Sequence, residues 1–161
     1  MFAIQEKTLI GQATADTSAV ARHTLGTIIR AKDPLLGASE HIYLKGAAST
    51  ALGSVVIYNR DDFSTSLLVA NDIGPVAVAM SACGANQFGW YQIFGKAVVK
   101  ARTAADNANV YATGTPGLVG DAVGAGDRMI NAKFASAMGM PSTGLAECEI
   151  WRPFMDDGAA A

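Results

Sequence analysis

From His41 onward the apolar positions come in short runs, broken again and again by Gly, Asn and Asp. His41–Lys45 ends at Gly46, Ser54–Tyr58 ends at Asn59-Arg60-Asp61-Asp62, Thr65–Ala70 ends at Asn71-Asp72, and Pro75–Ala82 ends at Cys83-Gly84-Ala85-Asn86. Runs of roughly four to eight residues between turn-forming clusters predict strands, and no helical stretch separates them as a βαβ fold requires. The expected class is all-β: a compact antiparallel β-barrel or sandwich with an extended N-terminal arm.

Gly89–Ala101 is the longest and most aromatic run. Period-two alternation puts Trp90, Gln92 and Phe94 on one face and Tyr91 and Ile93 on the other. With both faces apolar, the strand belongs in a sheet interior or at a contact between subunits. Gly95 in mid-run predicts a bulge or bend. Beyond it, Lys96, Val98 and Lys100 alternate with Ala97, Val99 and Ala101, so one side turns partly wet.

Thr113–Asp127, with Gly114, Gly117, Gly120, Gly124 and Gly126, reads as a loop. Arg128–Met138 and Leu145–Trp151 alternate again across the turn-like Gly139–Gly144, which predicts a closing hairpin. Pro153 is expected to stop its second strand, and residues 156–161 read as a loose tail. At the other end, Phe2–Ile10 alternates, whereas Gly11–Ala21 has small residues and no large anchors. That segment is expected to be an arm ordered by a neighbour, with one helical turn over Asp16–Ala21 as an alternative. Thr24–Ala31 predicts a strand, followed by a turn at Lys32-Asp33-Pro34. The division is an N-terminal strand and arm (1–40), a β-domain (41–155) and a C-terminal tail (156–161).

Length and charge narrow the function. A chain of 161 residues fits one domain. Twelve Lys and Arg against fourteen Asp and Glu give 12 − 14 = −2, so no positive field awaits a nucleic-acid backbone, and no nucleic-acid partner is expected. Charged residues are 16% and hydrophobic residues 50%. That is too apolar for disorder and poorly charged for a solitary surface. The N-terminus carries an early Glu6 and no apolar run of signal-peptide length, and no stretch approaches the roughly eighteen uninterrupted apolar residues of a membrane span. A soluble compartment and no membrane partner are expected.

Candidate chemistry is thin. Cys83 and Cys148 have no metal-type partner spacing, and His23 and His41 lie far from both in sequence, so no metal or cofactor is expected. Both thiols read as small buried side chains, with one disulfide left open. Gly89–Lys96 only superficially looks like a phosphate loop: five residues separate its glycines, Ala97 stands where Ser or Thr would hold magnesium, and bulky aromatics fill it. Gly124-Ala125-Gly126 has Met129 in place of the third dinucleotide-binding glycine. The most concrete enzyme reading is a small hydrolase with Cys83 as nucleophile and His41 as base. Asp61-Asp62 and Asp156-Asp157 read as solvated turn carboxylates, because neighbours on a strand or loop point apart.

Four stretches carry a resemblance of pattern over residues 40 to 155. Gly74-Pro75-Val76-Ala77-Val78-Ala79-Met80, Gly89–Val99, Thr115-Pro116-Gly117-Leu118-Val119 and Trp151-Arg152-Pro153-Phe154 look like segments of small β-rich virion proteins of tailed bacteriophages, in the style of capsid decoration or cement proteins. The resemblance implies a β-domain bound to the outside of the virion capsid after synthesis in the host cytoplasm. It implies the major capsid protein as partner, a homo-oligomer with a trimer favoured, an arm along the shell, and no catalytic residues. A head–tail connector or tail structural protein is the alternative. The expected interface residues are Phe2, Ile4, Leu9, Ile10, Trp90, Tyr91, Phe94, Trp151 and Phe154.

Overall fold

The computed structural model describes residues 3–4 and 11–156, and for residues 3–4 the backbone alone. Among the described residues there are twelve strands and no α-helix. They are β1 (Ala3–Ile4), β2 (Thr17–Ser18), β3 (Ile28–Asp33), β4 (Gly37–Lys45), β5 (Val55–Tyr58) and β6 (Thr65–Leu67), then β7 (Gly74–Ala79), β8 (Phe88–Lys100), β9 (Asn109–Ala112), β10 (Val119–Gly120), β11 (Arg128–Phe134) and β12 (Leu145–Met155). All strand pairings are antiparallel, in the order β1-β3-β4-β8-β7-β12-β11-β9-β10, with β2 attached to β8 and the β5–β6 hairpin attached to β7. The chain is all-β, as the punctuated pattern predicts. The sheet curls without closing, since its end strands β1 and β10 do not pair, and a closed barrel is excluded.

β8 organises the molecule. Its first half pairs with β4 on one side and β7 on the other, and its second half pairs with β12 from Phe94↔Trp151 to Lys100↔Leu145. Between the halves stands Gly95, at φ +97, and a Cβ there would collide with the carbonyl oxygen of Ala38. Only glycine meets both conditions, so the expected bend is found where the sequence put it. Gln92 fastens that bend: its buried amide donates to the carbonyls of Phe94 and Lys96, both at 3.0 Å.

Alternation then decides which core each side chain enters. Val76 and Val78 of β7 join Val55, Val99, Val110, Phe134 and Ile150 in the larger core. Ala77 and Ala79 of the same strand join Val56, Tyr58, Ile42, Leu44, Tyr91 and Ile93 in a second core. β5 and β7 are therefore covered on both faces. A third cluster, Ile29, Tyr43 and Trp90, lies on the opposite face of β4–β8 from Ile42 and Tyr91.

Within the described part of the N-terminal segment, the expected arm is folded onto its own chain. Residues 11–27 lie as a strap over the Tyr43–Trp90 pair of their own chain. Gln12, buried, accepts from the Tyr43 hydroxyl at 2.7 Å, donates to the carbonyls of Asp16 and Phe88, and takes the Trp90 indole N–H on its own carbonyl at 3.1 Å. The His23 ring packs 5.2 Å from Tyr43 and 5.1 Å from Trp90, centroid to centroid. Asp16–Ala21 is no helical turn, because Thr17 and Ser18 pair with Gly89 and Phe88. The expected boundary at 40/41 falls inside β4, so residues 28–40 belong to the sheet.

Two further elements differ from expectation, and one agrees with it. Val119–Gly120, inside the glycine-rich loop, returns to pair with Ala112 and Tyr111. The closing hairpin of β11 and β12 forms, with Phe134 opposite Cys148. Pro153 does not end it: the β11–β12 ladder skips from Ile150 to Phe154, where Arg152 takes φ +51 opposite Asn131 at φ +60, and the strand resumes to Met155. A proline is tolerated there because no ladder bond needs its missing N–H.

Candidate functional site: an open aromatic pair with a charged rim

Strand register assembles one transverse row across four strands. Arg30 of β3 pairs with Glu40 of β4, Glu40 with Phe94 of β8, and Phe94 with Trp151 of β12. Register partners share a face, and the neighbours Ala97, Cys148 and Ile150 point into the larger core, so this row points outward. Phe94 is 38% exposed and Trp151 46%. Two large aromatic side chains thus stand side by side, partly open to water, with nothing among the described residues roofing them.

Charges surround the pair and mostly neutralise one another. Arg152 donates to Glu40 at 2.9 Å, and Arg30 lies 3.8 Å from the same carboxylate. On the other side Lys96 bonds Glu147 at 2.8 Å, and Lys133 lies 3.5 Å from Glu149. The Glu147 carboxylate raises the Lys96 ammonium above its ordinary pKa, chiefly through that hydrogen bond. Exposed pairs like these add about 0–1 kcal/mol each to stability. Their larger consequence is orientation, because they hold long side chains to a rim and leave the aromatics clear. An aromatic centre inside a polar rim is the anatomy of a protein-docking surface.

The sequence-predicted interface residues divide. Trp90 and Tyr91 have no exposed surface, because the strap covers one and the second core encloses the other, so both are packing residues. Phe94, Trp151 and Phe154 remain at the surface. Phe2, Leu9 and Ile10 lie outside the described residues, as does the side chain of Ile4. Arg30, Glu40 and Arg152 were missed, for their meeting depends on register between strands far apart in sequence; the only sequence signal was the Trp151-Arg152-Pro153-Phe154 cluster.

The thiol–imidazole pair does not assemble. Cys83 packs with Ile42, Leu44 and Tyr91, whereas His41 faces the opposite side of the same β4–β8 layer, opposite Gln92. Burial pushes the Cys83 thiol up, pushes the Cys148 thiol up to about 12, and holds the His41 imidazolium down to about 4. The thiols therefore stay protonated and His41 neutral near pH 7. The cysteines are free and belong to different cores, so they form no disulfide. Among the described residues no cluster of His, Cys, Asp or Glu is arranged to hold a metal ion, and no helix is long and apolar enough to cross a membrane. Asp61 and Asp62 sit on an exposed turn, where Asp62 accepts from the amide and hydroxyl of Ser64.

Compared with known proteins, the chain matches no family model and no curated sequence.

Proposed function

We propose that this chain is a structural virion protein that binds the outer surface of a phage capsid and stabilises it by bridging capsomers. The observation that carries the reading is the uncovered Phe94–Trp151 pair inside its ion-paired rim. A rigid β-body offering such a face works by burying it, and the sparse charge of the whole chain fits repeated protein contact. The partner in this reading is the major capsid protein. Many copies on one shell sum modest contacts into large stabilisation.

The test is rebinding to particles stripped of the protein, followed by heating. Wild type is expected to bind in hundreds of copies per particle, on the order expected of a multivalent coat, and to raise heat resistance. Trp151→Ala is expected to lower occupancy at least about tenfold while the variant stays folded. Binding at about a dozen copies would instead identify a connector or tail component. Unchanged heat resistance at full occupancy overturns the stabilising role.

A further inference from the structure

Beside the aromatic row, and sharing Arg152 with its rim, an open groove of about 390 Å³ runs between β3–β4, the β5–β6 turn and the end of β12. Ile28, Phe63, Ile93 and Phe154 are among its apolar walls, while Arg60 and Arg152 supply its charge, with no carboxylate lining it. Glu40 engages Arg152, but Arg60 makes no ion pair among the described residues. The groove therefore suits an apolar tip accompanied by a carboxylate.

The chain carries a segment of that chemistry elsewhere on its surface. In the glycine-rich stretch Gly120–Asp127, Val123 is 83% exposed and is flanked by Asp121 and Asp127. Asp127 is spent locally, accepting from the Asn71 amide at 2.8 Å, which ties the stretch to the neighbouring turn. Asp121 makes no ion pair among the described residues. No residue of the stretch lines the groove of its own chain. An apolar side chain held out on a tethered loop, next to a free carboxylate, matches a groove with apolar walls and a free guanidinium.

We infer that the Val123 loop of one copy docks in the Arg60 groove of a second copy, with Asp121 paired to Arg60. The two patches differ, so the contact is heterologous: it repeats from copy to copy and either closes into a ring or grows. A groove near the lower end of the roughly 300–1,000 Å³ range of ligand pockets admits a loop tip and little more. The contact borders the rim through Arg152, but the pair that defines it, Asp121 and Arg60, lies outside the aromatic row.

The experiment is sedimentation of the full chain over a wide concentration range. Wild type is expected to show concentration-dependent species of more than one copy. Val123→Asp and Arg60→Glu are each expected to weaken association at least about tenfold, since both sites are exposed and neither change disturbs the fold. Arg60→Glu combined with Asp121→Arg is expected to regain most of the loss, which nonspecific damage would not do. A single-copy mass at every concentration overturns the inference, as does undiminished association of Arg60→Glu or failure of the paired reversal. Loss of association with intact particle binding separates this contact from the shell-facing row.

Discussion

Two aromatic pairs stand across neighbouring strands of one sheet, Tyr43 opposite Trp90 and Phe94 opposite Trp151. Trp90 and Phe94 lie on the same strand, on either side of Gln92, yet the first pair is wholly buried and the second is open to water. The chain has a segment to lay over Tyr43 and Trp90, with polar groups placed to satisfy the phenol and the indole. Among the described residues nothing lies over Phe94 and Trp151. Residue type therefore does not separate a buried aromatic from an exposed one in this protein; the presence of a cover does.

The contrast breaks most visibly at the two tryptophans. Trp90→Ala is expected to cost about 3–5 kcal/mol in denaturant unfolding, because it empties a fully enclosed site. Equal costs at Trp90 and Trp151 would erase the distinction.

Acid is expected to attack the covered side next. His41 lies on that face, and burial lowers its pKa from 6.5 to about 4. The unfolded chain then binds more protons than the folded one between those values, so stability is complete above pH 6.5 and falls as the pH drops toward 4. The loss amounts to about 3 kcal/mol. Replacing His41→Gln should flatten unfolding free energy between pH 6.5 and 5, above the main carboxylate titration; a slope unchanged by the substitution would contradict the assignment.

The strap supplies a smaller effect. Gln12→Ala is expected to cost about 1–3 kcal/mol, since it leaves the buried Tyr43 hydroxyl without its acceptor. Hydrogen exchange at the Trp90 indole should quicken in parallel. Smallest of all, Trp151→Ala should change stability by no more than about 0.5 kcal/mol in denaturant unfolding, as for surface positions generally.

Much of the fold was legible because short apolar runs between turn residues carry their own strand signal. The bend at Gly95, the wet side of Lys96–Lys100 and the closing hairpin all follow from local pattern. What local pattern could not show was which surfaces the chain covers for itself. Gly11–Ala21 looks like a free arm because its residues are small, but it is anchored by the Gln12 side chain, whose partners include groups 31 and 76 residues away, and by the pairing of Thr17 and Ser18 with β8. Alternation likewise leaves Trp90 and Tyr91 equally fit for a sheet interior or a subunit contact, and only the fold shows both enclosed. The rim of Arg30, Glu40 and Arg152 depends on a ladder spanning most of the chain, which no single-strand periodicity reports.

Gln92 gives the bend at Gly95 a mechanical meaning. Its one amide grips the carbonyls before and after the corner, so the two arms of β8 cannot hinge independently. A pull applied at the outer aromatics enters a braced elbow and spreads into two separate interiors. The protein should therefore behave under load as a stiff bracket and not as a flexible tie.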